Sequence, residues 1–529
     1  MKKICAVCIL GLLTLGFSFA NDSSDSGSTR QFSFALSEKL PLMHPQLVYE
    51  SSDLQVATAI SEGLFTYDPY SALPVPALAK KYTVSGKTWR FFLREDAFFE
   101  NGDQITAETV KQSWLNLLSP GLDFPYSSLL DCIQGAFEYR TGQVKNQDSV
   151  AITVEDPYTL VVYLTEPTPH LSSILCNPAF APVHKSQLEY AVNYQKNPKT
   201  ITAKNIFIPI SSGPFKVSKH SANQVVFTKN EKYWDKASVN LKEIVLRLDL
   251  SEDAQADAFN TGSLDWSKNA TLDKIVGRGV INYSPLFGTS FFYFNVRDRN
   301  VASETVRQAL LYALPYETLR ENFSLQAETL VFPIAGYPSV AGISEENLTQ
   351  AKNKIASLGL TDAEKRIVIQ VYDTDFQKRI ANVLKEAWEK IGMLVSIKTV
   401  KDFNPQTDLS NADYSVSLLS WIADFADPLA MLELFRGTST LNCSGWVDEH
   451  FDNLLLKAST ENGIEKRYEV LSEAEAYLLE KSVIIPLSFS FSLNVVDPSE
   501  IAGWYANPLD IHPFKFIRFK EKVLAPGFI

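Results

Sequence analysis

Asp424 and Asp427 stand close together in the run WIADFADP at 421–428, and a carboxylate pair at short range is able to do acid and base work. Two structural readings compete for each of them: a solvated loop charge, or a cap for a helix opening at Pro428. Histidine adds little, because the six histidines (His44, His170, His184, His220, His450 and His512) show neither H-E-x-x-H nor H-x-H spacing. None sits near two cysteines, so no zinc site is legible. Cys5 and Cys8 spell C-x-x-C inside an N-terminal apolar run and carry no metal or redox meaning there. Cys132, Cys176 and Cys443 allow at most one disulfide, and all three pairings stay open. G-x-S-x-G, P-loop and G-x-G-x-x-G patterns are absent. The expectation is therefore a non-enzyme with no catalytic residue, no metal and no cofactor, and a secreted hydrolase assembled from distant residues is the alternative.

The elements that must position such residues come from a long chain. It has 529 residues and a formal net charge of -12, with 45% hydrophobic and 21% charged residues. That is globular composition with room for several domains, and it excludes a disordered or collagen-like chain. An acidic chain without a basic run gives nucleic acid no footing as a partner. The first twenty residues, MKKICAVCILGLLTLGFSFA, carry Lys2 and Lys3, an apolar stretch from 4 to 17, and small residues at Ser18 and Ala20. This is the pattern of a secretory signal peptide at 1–20, with cleavage after Ala20, followed by a polar flexible leader at 21–30. No cysteine follows the apolar stretch where a lipid would attach, so the expected product is soluble, exported and not lipid-anchored.

Strand-like runs lie at 88–93, 159–164, 224–228 and 243–250. The clearest unit is RIVIQVY at 366–372, then Ile380, Val383, Leu384, Ala387, Trp388 and Ile391 at helical spacing, a stop at Gly392, and a second strand at 394–400. Strand, helix and strand of this length read as a βαβ crossover with parallel pairing. A further strand, DYSVSLLS at 413–420, breaks at the 421–428 loop. Amphipathic helices are expected at 303–314 (capped by Ser303), 345–358 (ended by Gly359) and 464–479, their apolar stripes facing a core. The result is an α/β protein of at least two lobes.

Several stretches, in order, resemble the periplasmic solute-binding proteins of peptide-type ABC importers, the oligopeptide- and dipeptide-binding family. They are EGLFTYDP at 62–69 and the run LPVPALAKKYTVSGKTWRFFLREDAFFENGDQITAETVKQSW ending at 114, with an Asn101–Gly102 turn and a capping pattern at Thr106 and Glu108. SSGPFKV, EKYWDKA, NTGSLD, FNVRDRNVASETVRQAL and WIADFADP continue the match. The resemblance implies a two-lobed periplasmic-binding-protein fold of class II, with an extra domain inserted in the first lobe. It divides the chain into a first lobe at 31–61, 185–270 and 487–529, an inserted domain at 62–184, and a second lobe at 271–486. It further implies a monomer in the periplasm that captures a short peptide between hinged lobes and delivers it to an ABC permease with cytoplasmic ATPases. The same fold with another cargo (a nickel chelate, haem, a muropeptide or a glycan) is the alternative.

By the same resemblance, Asp424 pairs with the α-amino group of the ligand, against the reading of a surface loop aspartate. Trp421 walls a side-chain pocket, with a core tryptophan at a strand end as the competing reading. Ser420 and Ile422 offer backbone groups, and Tyr126 lies at the ligand unless it is simply a buried structural tyrosine. Ser51 matches a second backbone-contact strand, and Phe403 aligns near a pocket aromatic. Ser417, Leu418 and Leu419 stand where some oligopeptide binders carry an arginine for ligand carboxylates, and no base answering a peptide C-terminus is identifiable.

Overall fold

The structure, a computed structural model, describes residues 30–36, 39–122, 124–199, 201–401, 413–461 and 463–521. Its backbone is a ten-stranded sheet that runs through both halves of the molecule. On one side, Phe32–Ala35 lies between Trp266–Ser267 and Glu243–Arg247, with Gln224–Lys229 and Phe215–His220 beyond. On the other, Val416–Ile422, Arg366–Tyr372 and Leu394–Val400 form the far edge. Two long strands, Ile281–Phe294 and Ile484–Val496, join the halves as an antiparallel pair.

That pair slips where it passes between halves. Pro285 faces Phe491, but the next matched residues are Thr289 and Phe489, so Leu286, Phe287 and Gly288 are bulged out. Gly288 is required there, since a Cβ would lie 2.5 Å from the Trp421 carbonyl oxygen and 2.9 Å from Ile422 Cα. The bulge thus brings one long strand against the strand that ends at Ile422.

The βαβ unit forms as its pattern demands. Arg366–Tyr372 pairs in parallel with Leu394–Val400, and Asp375–Glu389 crosses between them with Leu384 and Trp388 buried. Gly392 ends the crossover at φ 90°. The helices expected from 303, 345 and 464 occur as Glu304–Tyr312, Leu348–Leu358 and Ile464–Glu480.

A separate four-stranded antiparallel sheet comprises Ala79–Ser85, Thr88–Leu93, Thr159–Tyr163 and Ile152–Asp156. Thr88–Leu93 alternates half-buried Thr88, Arg90 and Phe92 with buried Trp89, Phe91 and Leu93, so one face meets the core. Gly102 makes the expected turn at φ 92°, and Thr106 caps Ala107–Leu117. The reciprocal partner in that cap is Thr109, not Glu108, because its hydroxyl accepts from the Thr106 amide. Apolar packing continues from this sheet (Phe91, Trp114, Phe124) into the helical part of the far half (Phe425, Phe435, Leu471). Hydrogen bonds tie the two together: Thr440 Oγ1 donates to the Pro125 carbonyl at 2.8 Å, and Arg140 Nη2 to that of Thr438 at 3.1 Å. Cys132, Cys176 and Cys443 are all free thiols. Among the described residues no helix is long and apolar enough to cross a membrane, and no three metal-ligating side chains cluster.

Candidate functional site

Val416–Ile422 is built to be a strand, with Val416 buried on one face and half-buried Leu418 beside exposed Ser420 on the way to Ile422. On one side it pairs residue by residue with 288–294. On the other it meets Arg366–Tyr372 only at Val416 and Ser417, since those two strands then diverge. Among the described residues, Leu418 to Ile422 therefore have a ladder partner on a single side. Their other edge opens onto a cleft of about 530 Å³. An unpaired strand edge inside a concave wall is a template for another extended chain.

The cleft collects residues far apart in sequence. Tyr49, Ser51 and Ser52 come from the start of the Ser51–Ile60 helix, Tyr67 and Tyr126 flank the four-stranded sheet, and Tyr372 and Gln377 bracket the start of the crossover helix. Asp424 lies just past the open strand edge. It is buried, its backbone carbonyl accepts from the Tyr67 hydroxyl at 3.3 Å, and its carboxylate accepts a hydrogen bond from Tyr126. Among the described residues its carboxyl forms no ion pair. Burial pushes that carboxyl up from 3.8 to about 7, and the Tyr126 hydrogen bond offsets only part of the effect. The same burial, with the Asp424 charge nearby, holds the Tyr49, Tyr67 and Tyr126 hydroxyls protonated.

Its neighbour behaves differently. Asp427 caps the short Pro428–Leu432 helix through Leu429 N at 2.9 Å and accepts from Arg467 Nη1 and Nη2 at 2.5 and 2.8 Å. The two aspartates do not form an acid-base pair, because one is a neutralised cap and the other faces a cleft alone.

Trp421 is buried against Tyr49, ring centres 5.7 Å apart, and among the described residues its Nε1 has no hydrogen-bond partner. Ser420 is exposed in the cleft and accepts from the Ser290 hydroxyl at 3.0 Å, while Ile422 sits opposite Gly288. Ser51 lines the cleft, but as the first residue of a helix and not of a strand. Glu50 at the cap position and Asp53 in the first turn favour helix entry there, which corrects the expected backbone-contact strand. Phe403 lies outside the described residues. Tyr49, Tyr67, Asn177, Phe323, Phe376 and Gln377 also line the cleft. Nothing local marked Tyr67 or Asn177, whose places depend on how the four-stranded sheet docks.

The model of the bacterial extracellular solute-binding proteins, family 5, matches residues 74–442. An oligopeptide-binding protein OppA of Bacillus subtilis is 28% identical over 475 residues, covering 84% of this chain and 85% of the relative. The murein tripeptide binding protein MppA of Escherichia coli superposes with a TM-score of 0.80 at 22% identity, over 93% of this chain and 99% of that one. Haemophilus influenzae OppA in complex with the peptide RPPGFSPFR gives 0.79 at 18% identity, over 92% and 99%.

Proposed function

The chain belongs to the bacterial extracellular solute-binding proteins of family 5, and from that premise we propose that its cleft captures short peptides for an ABC importer. One observation carries the reading: an open strand edge at 418–422 runs up to a buried carboxylate, Asp424, that has no cation of its own among the described residues. A peptide supplies what both lack. Its backbone amides extend the ladder, and its ammonium group answers the carboxylate. Ser420 and Ile422 then offer backbone groups, Trp421 and Tyr126 wall the amino end, and Ser51 faces the chain from the opposite side. Phe403 belongs to the same proposed set on the resemblance alone.

Capture without turnover is the chemistry this site favours. Among the described residues no nucleophile with an adjacent base stands beside Asp424, whose hydrogen-bonding neighbour is a tyrosine. We take the first lobe as 31–61, 185–270 and 487–529, the inserted domain as 62–184 and the second lobe as 271–486, a division supported by the separate sheet at 79–163. Export under the 1–20 signal, action as a monomer in the periplasm, and hand-over to a permease with cytoplasmic ATPases complete the proposal.

Titration calorimetry of the mature chain, unfolded and refolded to strip bound cargo, against a pool of di- to pentapeptides tests it. Heat of binding with intact peptides recovered is the expected result. No binding, or cleavage of the pool, contradicts it. Mass spectrometry of co-purified cargo separates ordinary peptides from murein peptides, which the name of the Escherichia coli relative brings into view.

A further inference from the structure

Tyr126, whose hydroxyl bonds the Asp424 carboxylate, sits in a turn that a distant loop grips on both sides. The turn, at 125–128, lies in the chain between two strands of the four-stranded sheet, whereas the gripping residue, Thr440, comes from the far half, as Asp424 does. Thr440 Oγ1 donates to the Pro125 carbonyl at 2.8 Å, one residue before Tyr126. The Thr440 amide donates to Ser128 Oγ at 3.1 Å, two residues after it. The two hydroxyl oxygens also lie 3.0 Å apart, and since the Thr440 proton is committed to Pro125, Ser128 is the donor in that third bond. The loop that presents Thr440 is itself pinned. Buried Asn442 donates through Nδ2 to the Arg436 and Trp446 carbonyls at 3.2 and 2.8 Å. Buried Arg140, paired with Asp131, donates to the Thr438 carbonyl at 3.1 Å. Tyr126 and Asp424 line the cleft, while Thr440, Pro125 and Ser128 stand behind its wall.

Resting on the peptide reading above, we propose that Thr440 is a positioning residue: it fixes the 125–128 turn so that the Tyr126 hydroxyl stands on the Asp424 carboxylate, and through that bond it sets how sharply the cleft tells a free ammonium end from a blocked one. A carboxylate has several acceptor positions, and a donor fixed on one of them orients the rest toward the cargo. A buried tyrosine held on both sides keeps that donor in place without reorganisation when the ammonium arrives. Freed from Thr440, the turn lets the phenol drift, and the carboxyl group loses its only side-chain hydrogen bond among the described residues. An acetylated amino end carries no charge for Asp424 to meet, so it is indifferent to that loss. The three residues come together only where the far half meets the part bearing the four-stranded sheet, so recognition of the amino end is assembled by that contact.

The test titrates Ala-Phe-Ala and N-acetyl-Ala-Phe-Ala into the mature chain by calorimetry, for the parent, Thr440→Val, Thr440→Ser, Tyr126→Phe and the Thr440→Val/Tyr126→Phe double variant. Thr440→Val should weaken the free-amine peptide by about three- to tenfold, the order of one hydrogen bond, and the acetylated peptide by less than about twofold. Thr440→Ser keeps the hydroxyl and should restore the parent's preference. In the Tyr126→Phe background Thr440→Val should add less than about a further twofold, because residues acting through one bond are not additive. Ser128→Ala, which leaves Thr440 in place, should show the same selective loss at a smaller size and keeps the test open if Thr440→Val does not fold. Equal losses for the two peptides, no restoration by serine, or an undiminished Thr440→Val effect without the Tyr126 hydroxyl would overturn the inference. A parent that binds neither peptide would instead overturn the peptide reading on which it rests.

Discussion

Asp424→Asn should make the empty protein more stable and the loaded protein weaker, two effects of opposite sign from a change of one atom. In the empty cleft the carboxyl stands at about 7 against an ordinary 3.8, because it is buried. At 1.36 kcal/mol per unit, ionising it there costs roughly 4 kcal/mol. The unfolded chain gives up this proton first, so the stabilisation is whole below 3.8, erodes as pH rises, and is gone just above 7. Asparagine cannot ionise and escapes the loss. The melting temperature of Asp424→Asn should therefore exceed the parent's at pH 8, with the advantage shrinking toward pH 4. Binding moves the other way. A charge-assisted hydrogen bond contributes about 1.5–3 kcal/mol, so a free-amine tripeptide should lose about 10- to 150-fold in affinity. The N-acetylated peptide has no ammonium to lose and should change little. Calorimetric titrations of both peptides, with thermal melts across pH, read all of this. Equal losses for both peptides, or a variant less stable than the parent at pH 8, would show that Asp424 acts only as a structural group.

Three further outcomes follow from the same geometry. Because the bound form needs an ionised Asp424, the Kd of a free-amine peptide should rise about tenfold for each pH unit below 7, while that of the N-acetylated peptide stays flat. Gly288→Ala places a Cβ 2.5 Å from the Trp421 carbonyl oxygen, which should cost about 1–3 kcal/mol and speed amide exchange along 288–292, read by hydrogen exchange. Arg467→Met leaves the half-buried Asp427 without its bidentate partner, and a loss on the order of 3–5 kcal/mol should lower the melting temperature.

Local patterns announced much of this architecture. The 366–400 crossover was legible because β-branched strands flank a helix whose Leu384 and Trp388 repeat at helical spacing, and Gly392 supplies the stop. The long strands Ile281–Phe294 and Ile484–Val496 were not, since their slip at 286–288 interrupts the period of two that marks a strand. Ser51 shows how a resemblance misleads about local form: it implied a strand, but an acidic first turn makes the segment a helix. Of the aspartates in WIADFADP, only Asp427 had a role readable from its own neighbours, as a cap ahead of Pro428. The burial of Asp424 depends on Tyr67 and Tyr126, more than 290 residues away in the chain, which no local window contains.

A crystal structure of the peptide-loaded protein tests the central claim most directly. The account predicts the ammonium group of the cargo within about 3 Å of the Asp424 carboxylate, the separation of a charge-assisted hydrogen bond, and its backbone paired along 418–422. A cargo seated elsewhere, with that carboxylate touching none of its atoms and the strand edge still open, would contradict it.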